Sequence, residues 1–95
     1  MLRLRAEASD DIRTAMAWYD EREPGLGAAF LAEADGLFQR IAKRQHVYPV
    51  VHPPFQRALM RRFPYAVYFL AESEAVVVFA VLHQRQERGV LGERG

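Results

Sequence analysis

The sequence predicts an α+β fold in which a helical hairpin packs on one face of a small antiparallel sheet. Two observations lead to this fold class. Two stretches with apolar residues at helical spacing stand next to each other in the N-terminal half, and three short strand-like stretches follow them. A chain of 95 residues has the size of one domain. We therefore expect a single domain over residues 1–95, with 84–95 as a short C-terminal extension.

A short strand precedes the first helix. Residues 2–6 alternate between apolar and charged side chains, which is typical of a half-buried strand. Ser9 predicts the helix N-cap, with Asp10 and Asp11 in the first turn, where the helix dipole favours negative charge. The helix must end near Glu23, because a Pro-Gly-rich segment follows. Its apolar stripe comprises Ile12, Ala15, Met16 and Tyr19.

The second helix is expected to begin near Gly27 and to end at the basic pair Lys43 and Arg44. Basic residues at this end complement the helix dipole. Two amphipathic helices joined by a tight Pro-Gly turn predict an antiparallel hairpin. The apolar face of this helix comprises Phe30, Leu31, Ala34, Leu37, Phe38 and Ile41.

After an irregular, proline-bearing segment at 45–54, three strands are predicted at 55–63, 65–71 and 75–83. The last of them is apolar on both faces, which indicates an interior position in the sheet. With the N-terminal strand counted first, we expect the sheet order 1-4-3-2. On a strand at 55–63, the neighbours Arg61 and Arg62 would point to opposite faces.

Composition narrows the function classes. The chain has no cysteine, which excludes disulfides, thiolate catalysis and cysteine-based zinc sites, and its three histidines have no metal-binding spacing. Between residues 36 and 71 there are six basic residues and no acidic one, which favours an acidic or phosphate-rich partner or, equally, a solvated basic face. The N-terminus lacks a signal-like apolar segment and no run spans a bilayer. We therefore expect a cytoplasmic protein without membrane contact.

The order of local motifs resembles one family. Residues 57–69, RALMRRFPYAVYF, resemble the basic strand, Phe-Pro-Tyr and aromatic strand of the RelE/ParE toxins. Residues 76–85 are similar to the closing strand of that family, which ends in His-x-Arg, and Trp18-Tyr19 matches an aromatic pair late in its first helix. The resemblance extends over residues 2–88. It implies a two-layer RelE-like fold, a toxin of a type II toxin–antitoxin system, a cognate antitoxin as partner, and no cofactor or metal.

Members of the family act on different targets, so the residues must decide between them. A metal-independent ribonuclease has to activate a 2′-hydroxyl, stabilise a crowded phosphate and protonate the leaving oxygen. Arg57, Arg61 and Arg85 are candidates for the phosphate, since guanidinium groups match its geometry. His83 is a candidate acid or base, or else a structural cap at the strand end.

The tail 84–95 contains no aromatic residue, although many ribonuclease members carry a tyrosine or second histidine there. This departure favours a ParE-like toxin that binds and poisons DNA gyrase without catalysis. The alternatives are a RelE-type endoribonuclease that acts on the ribosome and mRNA, and an inactive binding adaptor. The sequence leaves a homodimer and a heterotetramer with the antitoxin open. The expected target- or antitoxin-binding residues are Arg57, Arg61, Arg62, Tyr65, Arg85 and Arg88.

Overall fold

The computed structural model of the chain describes residues 1–94, with the side chains of Glu87 and Arg88 excepted. One open sheet carries two long helices on one face and a short helix on the other. In chain order the elements are β1 (Leu2–Leu4), α1 (Ala6–Arg22), α2 (Leu26–Arg44), β2 (Val50–His52), β3 (Phe55–Leu59), β4 (Tyr65–Glu72), β5 (Ala75–His83) and α3 (Glu87–Arg94). The predicted α+β class and the helical hairpin are confirmed.

The strand order is β1-β5-β4-β3-β2. The predicted order of the four expected strands is confirmed, and β2 adds a fifth strand at the edge. The sheet is mixed, however, because β1 runs parallel to β5 while the other neighbours are antiparallel. The helical hairpin forms the crossover between β1 and the later strands. Such a connection can place parallel strands side by side, whereas short hairpin turns cannot.

Helix α1 begins earlier than the sequence predicts. Arg5 is its N-cap, and the backbone N–H of Arg5 donates to the Val78 carbonyl at 3.0 Å as the last contact of β1. Ala6 to Ala8 then enter the helix at once, since alanine and glutamate are strong helix formers. The prediction that Ser9 caps the helix is therefore wrong. Asp10 and Asp11 lie in the second turn rather than the first, where Glu7 is the acidic residue.

The turn between α1 and α2 depends on two glycines. Gly25 has φ +91°, a left-handed conformation that side chains disfavour. A Cβ on Gly27 would lie 2.6 Å from the Met16 carbonyl oxygen and 2.7 Å from an Asp20 carboxylate oxygen. The Gly27 N–H instead donates to Asp20 at 2.8 Å. The two helices thus approach closely at this point only because residue 27 has no side chain.

The segment between α2 and β4 differs from the prediction in two ways. Residues 45–54 are not wholly irregular, because a 3-10 turn (Gln45–Val47) leads into β2. Strand β3 ends at Leu59 rather than at Phe63, and residues 61–64 form a bend. Arg61 and Arg62 therefore do not point to opposite faces of a strand; both are exposed in this bend.

Apolar side chains fill both sides of the sheet. The first core lies between the helical hairpin and the sheet and includes Phe30, Ile41 and Phe69. The second core lies under α3, where Leu91 is fully buried. The tail was expected to be a short or frayed extension; most of it forms α3. Strand β5 is apolar on both faces, so burial of its second face needs a cover, which α3 provides. The buried residues of the second core are Phe55, Ala66, Tyr68, Ala80, Leu82 and Leu91.

Candidate binding site

Arg57 and His83, two of the four candidate ribonuclease residues, lie on opposite faces of the sheet. Arg57 pairs with Tyr68, a second-core residue, and therefore faces away from the hairpin. His83 pairs with Tyr65, which packs against the first core, and therefore faces the hairpin side. On ordinary strand spacings their Cα atoms are roughly 14 Å apart. The fold does not bring these two residues together.

Arg61 and Arg62 are held by a carboxylate of the helical hairpin. The Glu33 side chain on α2 accepts hydrogen bonds from the backbone N–H groups of both arginines, at 3.1 Å in the case of Arg62. The Arg62 guanidinium lies 5.5 Å from the ring centre of Phe63. Glu33 therefore determines the path of the bend, and the arginine side chains remain on the surface.

Tyr65 and His83 form an edge-to-face ring pair, with 5.4 Å between centroids. Burial is the main cause that raises the pKa of Tyr65 above its ordinary value, with smaller contributions from Tyr19 and Asp11. His83 Nδ1 accepts a hydrogen bond from the Arg85 backbone N–H at 3.2 Å. This contact closes the turn after β5, so it supports the strand-capping role of His83.

The remaining basic groups are dispersed. Arg85 is exposed in a 3-10 turn (Gln84–Gln86) directly after β5. The Arg88 side chain lies outside the described residues. The basic stretch 36–71 does not form one patch, because Lys43 and Arg44 are at the C-terminal end of α2 while Arg57 is on the opposite side of the sheet. The fold therefore divides this stretch among separate surfaces.

A groove with a volume of about 580 Å³ lies between α1, the ends of β4 and β5, and α3. Apolar and aromatic side chains predominate in it, and a few polar groups converge, as in many binding sites. Tyr65 and His83 from the predicted set line it; Arg57, Arg61 and Arg62 do not. The lining residues on the helices are Asp11, Thr14, Ala15, Trp18, Tyr19, Val90 and Arg94.

An ion pair between α1 and α3 forms part of the groove lining. Arg94 Nη1 donates to Asp11 Oδ2 at 2.6 Å, and Arg94 Nη2 donates to Asp11 Oδ1 at 2.9 Å. The Val81 N–H on β5 also donates to Asp11 Oδ2, at 2.9 Å. The hydrogen bond to Asp11 is the main cause that raises the pKa of Arg94, so the guanidinium remains charged. Asp11 thus joins α1, α3 and β5.

Trp18 forms part of the groove rim and is about half exposed. The Arg22 guanidinium lies 3.3 Å from the centre of a Trp18 ring, and Arg22 Nη1 donates to the Trp18 carbonyl at 2.8 Å. The cation is thus fixed beside an exposed aromatic surface. In the sequence, Trp18 is distinctive only through the resemblance of the Trp18-Tyr19 pair, and nothing in the local pattern identifies it as a rim residue.

Comparisons with known proteins establish the fold. No family model matches the sequence, and no curated protein matches it. Among solved structures, the chain is similar to one described as "Chromosomal ParDE TA system from P. aeruginosa", with a TM-score of 0.71, 13% sequence identity, and coverage of 86% of this chain and 92% of that chain. This chain shares that fold, and the fold class implied by the RelE/ParE resemblance is confirmed.

Two further findings concern residues 1–94. Within them, no helix has the length and apolar character needed to cross a bilayer. Among the same described residues, no cluster of three or more histidine, aspartate or glutamate side chains is arranged to hold a metal ion. The groove between α1 and α3, where apolar and aromatic side chains meet a few polar groups, is the candidate site.

Proposed function

We propose that this chain is the toxin of a type II toxin–antitoxin system, and that it stops growth by binding and poisoning DNA gyrase. The observation that carries the proposal is the fold shared with the ParDE toxin–antitoxin structure. Fold alone does not specify an activity. The ordered RelE/ParE-like motifs at 57–69 and 76–85 make the toxin class the best supported function.

The placement of the candidate acid–base and phosphate-binding groups favours binding over catalysis. A ribonuclease needs its phosphate-binding arginines and its acid or base around one reacting phosphate. Arg57 and His83 are on opposite faces of the sheet, and His83 Nδ1 is engaged by the Arg85 backbone. A toxin that binds a protein target requires only a complementary surface.

One observation favours the rival function, a RelE-type ribosome-dependent endoribonuclease. Tyr65 and His83 are in ring contact beside the groove, and Arg85 follows two residues later. A phosphate at this corner of the molecule would meet one cation, one imidazole and one phenol. The rival therefore depends on His83 in a way that the gyrase proposal does not.

The partner of the toxin would be a cognate antitoxin encoded by a neighbouring reading frame. Arg61 and Arg62 are exposed near the hairpin, and such cations suit an acidic antitoxin segment. With Arg57, Tyr65, Arg85 and Arg88 they remain the proposed target- or antitoxin-binding residues.

Induction of the chain without its antitoxin should arrest bacterial growth, with DNA damage, filamentation and intact mRNA. His83→Ala should retain toxicity if the chain is a binding toxin, because it removes at most a contact of about 1–3 kcal/mol. A ribonuclease that loses its acid or base would slow roughly 10²–10⁴-fold. His46→Ala, at an exposed histidine of the 3-10 turn after α2, is the matched control.

The measurements are growth after induction and the mapping of RNA ends in the same cells. Normal growth with soluble wild-type protein would contradict the toxin proposal. Codon-phased RNA cleavage that His83→Ala abolishes and His46→Ala leaves intact would contradict gyrase poisoning and support the rival.

A further inference from the structure

The bend at residues 61–64 lies against α2 and carries two exposed arginines. Glu33 on α2 accepts hydrogen bonds from the backbone N–H groups of Arg61 and Arg62, at 3.1 Å in the case of Arg62. The Arg62 guanidinium lies 5.5 Å from the ring centre of Phe63, and this ring is buried in the first core. The backbone of the bend is therefore anchored, and its two guanidinium groups remain on the surface.

A third guanidinium reaches the same surface from α2. Glu33, Gly36 and Arg40 are at positions i, i+3 and i+7, so they follow one another along one stripe of the helix. A Cβ on Gly36 would lie 3.6 Å from Arg40 Nη1. The Arg40 side chain therefore folds back over Gly36, in the direction of Glu33 and the bend. Arg40, Arg61 and Arg62 together form what we call the arginine surface.

The positive charge of the arginine surface is not neutralised within the chain. Among the side chains that the structure describes, no carboxylate pairs with any of its three guanidinium groups. Glu33 is engaged with the backbone of the bend, and residues 36–71 contain no acidic residue. Asp35 is two positions from Glu33 and points to another side of α2. The surface therefore suits an anionic ligand.

The arginine surface lacks the apolar anchors that a protein partner needs. None of the large apolar side chains that are exposed in the described chain lies on α2 or in the bend; they are Met1, Trp18, Val47, Val50 and Leu59. Interfaces between proteins depend mainly on buried apolar and aromatic anchors. Contacts to nucleic acid phosphates need only cations and N–H donors, and the guanidinium group matches phosphate geometry. The surface therefore favours phosphates over a folded protein.

The same surface has no exposed aromatic ring, which favours a duplex over a single strand. Proteins that bind unpaired bases stack them on exposed aromatic side chains. The aromatic residues of α2 and of the bend, Phe30, Phe38 and Phe63, are all buried. Glu33 and Arg40 are about 10 Å apart along the helix axis, which equals the rise of roughly three base pairs of DNA.

We propose that the arginine surface binds the phosphate backbone of double-stranded DNA without reading its sequence. The inference rests on the proposed function, because a toxin that poisons gyrase acts beside the DNA that gyrase holds. Three phosphate contacts predict weak, salt-sensitive binding. The logarithm of the association constant should fall with the logarithm of the salt concentration with a slope of about −2.7, which is about −0.9 for each phosphate.

The test measures binding of the purified full chain to a labelled DNA duplex of about 20 base pairs by fluorescence anisotropy, from about 50 to 200 mM KCl. Arg40→Ala, Arg61→Ala and Arg62→Ala should each reduce the steepness of the salt slope by about 0.9 and weaken binding roughly 10-fold at the lowest salt concentration. Arg13→Ala is the matched control, because it removes an exposed arginine that pairs with Asp10 on α1, and it should bind like the wild type. Circular dichroism checks that each variant is folded.

Competition with unlabelled ligands tests the class of ligand. Displacement by RNA of the same length at a lower concentration than by duplex DNA would overturn the assignment to DNA. Polyglutamate of equal charge represents an acidic antitoxin segment, and tighter binding of this peptide would overturn the assignment to nucleic acid.

Absence of binding to the duplex, or a salt slope that none of the three substitutions changes, would overturn the proposed surface. These results would leave growth arrest by the wild type as it is, so they differ from a failure of the toxin function. That function fails if induction of soluble wild-type protein leaves growth normal.

Discussion

Replacing Arg94 by alanine tests how strongly the ion pair with Asp11 holds α3 against the rest of the fold. The two side chains are only 18% and 13% exposed, so solvent screens the pair weakly. Removing one partner of a buried pair costs about 3–5 kcal/mol, because the other charge is left uncompensated. Here Asp11 keeps the Val81 N–H as a donor and retains some contact with water. We therefore expect the free energy of unfolding to fall by about 2–4 kcal/mol in Arg94→Ala.

Arg3→Ala is the matched control, because it also removes an arginine from a carboxylate. Arg3 lies 3.9 Å from Glu72, and the two side chains are 63% and 52% exposed. Exposed pairs of this kind contribute about 0–1 kcal/mol. Urea denaturation followed by circular dichroism measures both variants. Equal losses in the two variants, or a loss in Arg94→Ala below about 1 kcal/mol, would refute the argument that burial makes this pair strong.

Two further changes test the hairpin and the groove. Gly27→Ala should lower the free energy of unfolding by about 1–3 kcal/mol, because the new Cβ would lie 2.6 Å from the Met16 carbonyl oxygen. Gly36→Ala is the control, because its new Cβ meets only the Arg40 guanidinium, at 3.6 Å. Thermal unfolding should show no loss of stability in this control. Burial raises the pKa of Tyr65 above its ordinary value of 10.0, so the unfolded chain loses this proton first and stability falls as pH rises above 10. Tyr65→Phe should reduce this loss of stability, measured by denaturation between pH 8 and 11, a range that brackets the ordinary tyrosine pKa. If the free energy of unfolding of Tyr65→Phe falls with pH as steeply as that of the wild type, the prediction is contradicted.

Periodicity along the chain was sufficient to predict the two long helices and the order of the main strands. Both signals are local: an apolar stripe at helical spacing and an alternation at strand spacing depend on near neighbours. The turn at Pro24-Gly25 was also predictable from the sequence, because the backbone preferences of these residues act without tertiary contacts. The position of β5 inside the sheet also followed from its own residues, since it is apolar on both faces.

Local patterns did not predict α3. It has eight residues, two of them glycines, and such a segment has little helical stability by itself. Leu91 in the second core and Arg94 on Asp11 stabilise it. The start of α1 was mispredicted for a related reason, since pairing of Arg5 with β5 decides where the strand ends.

Residue types in the sequence determined which chemistry was available: arginines for acidic partners, a histidine at a strand end, and no cysteine. Only the tertiary structure decided which of these groups share a surface. A bulge at Phe79 turns the Val81 N–H toward Asp11, and Arg94, 83 residues after Asp11, completes that site. The sequence alone could not reveal this arrangement, because contacts between distant residues depend on strand register and helix packing rather than on spacing along the chain.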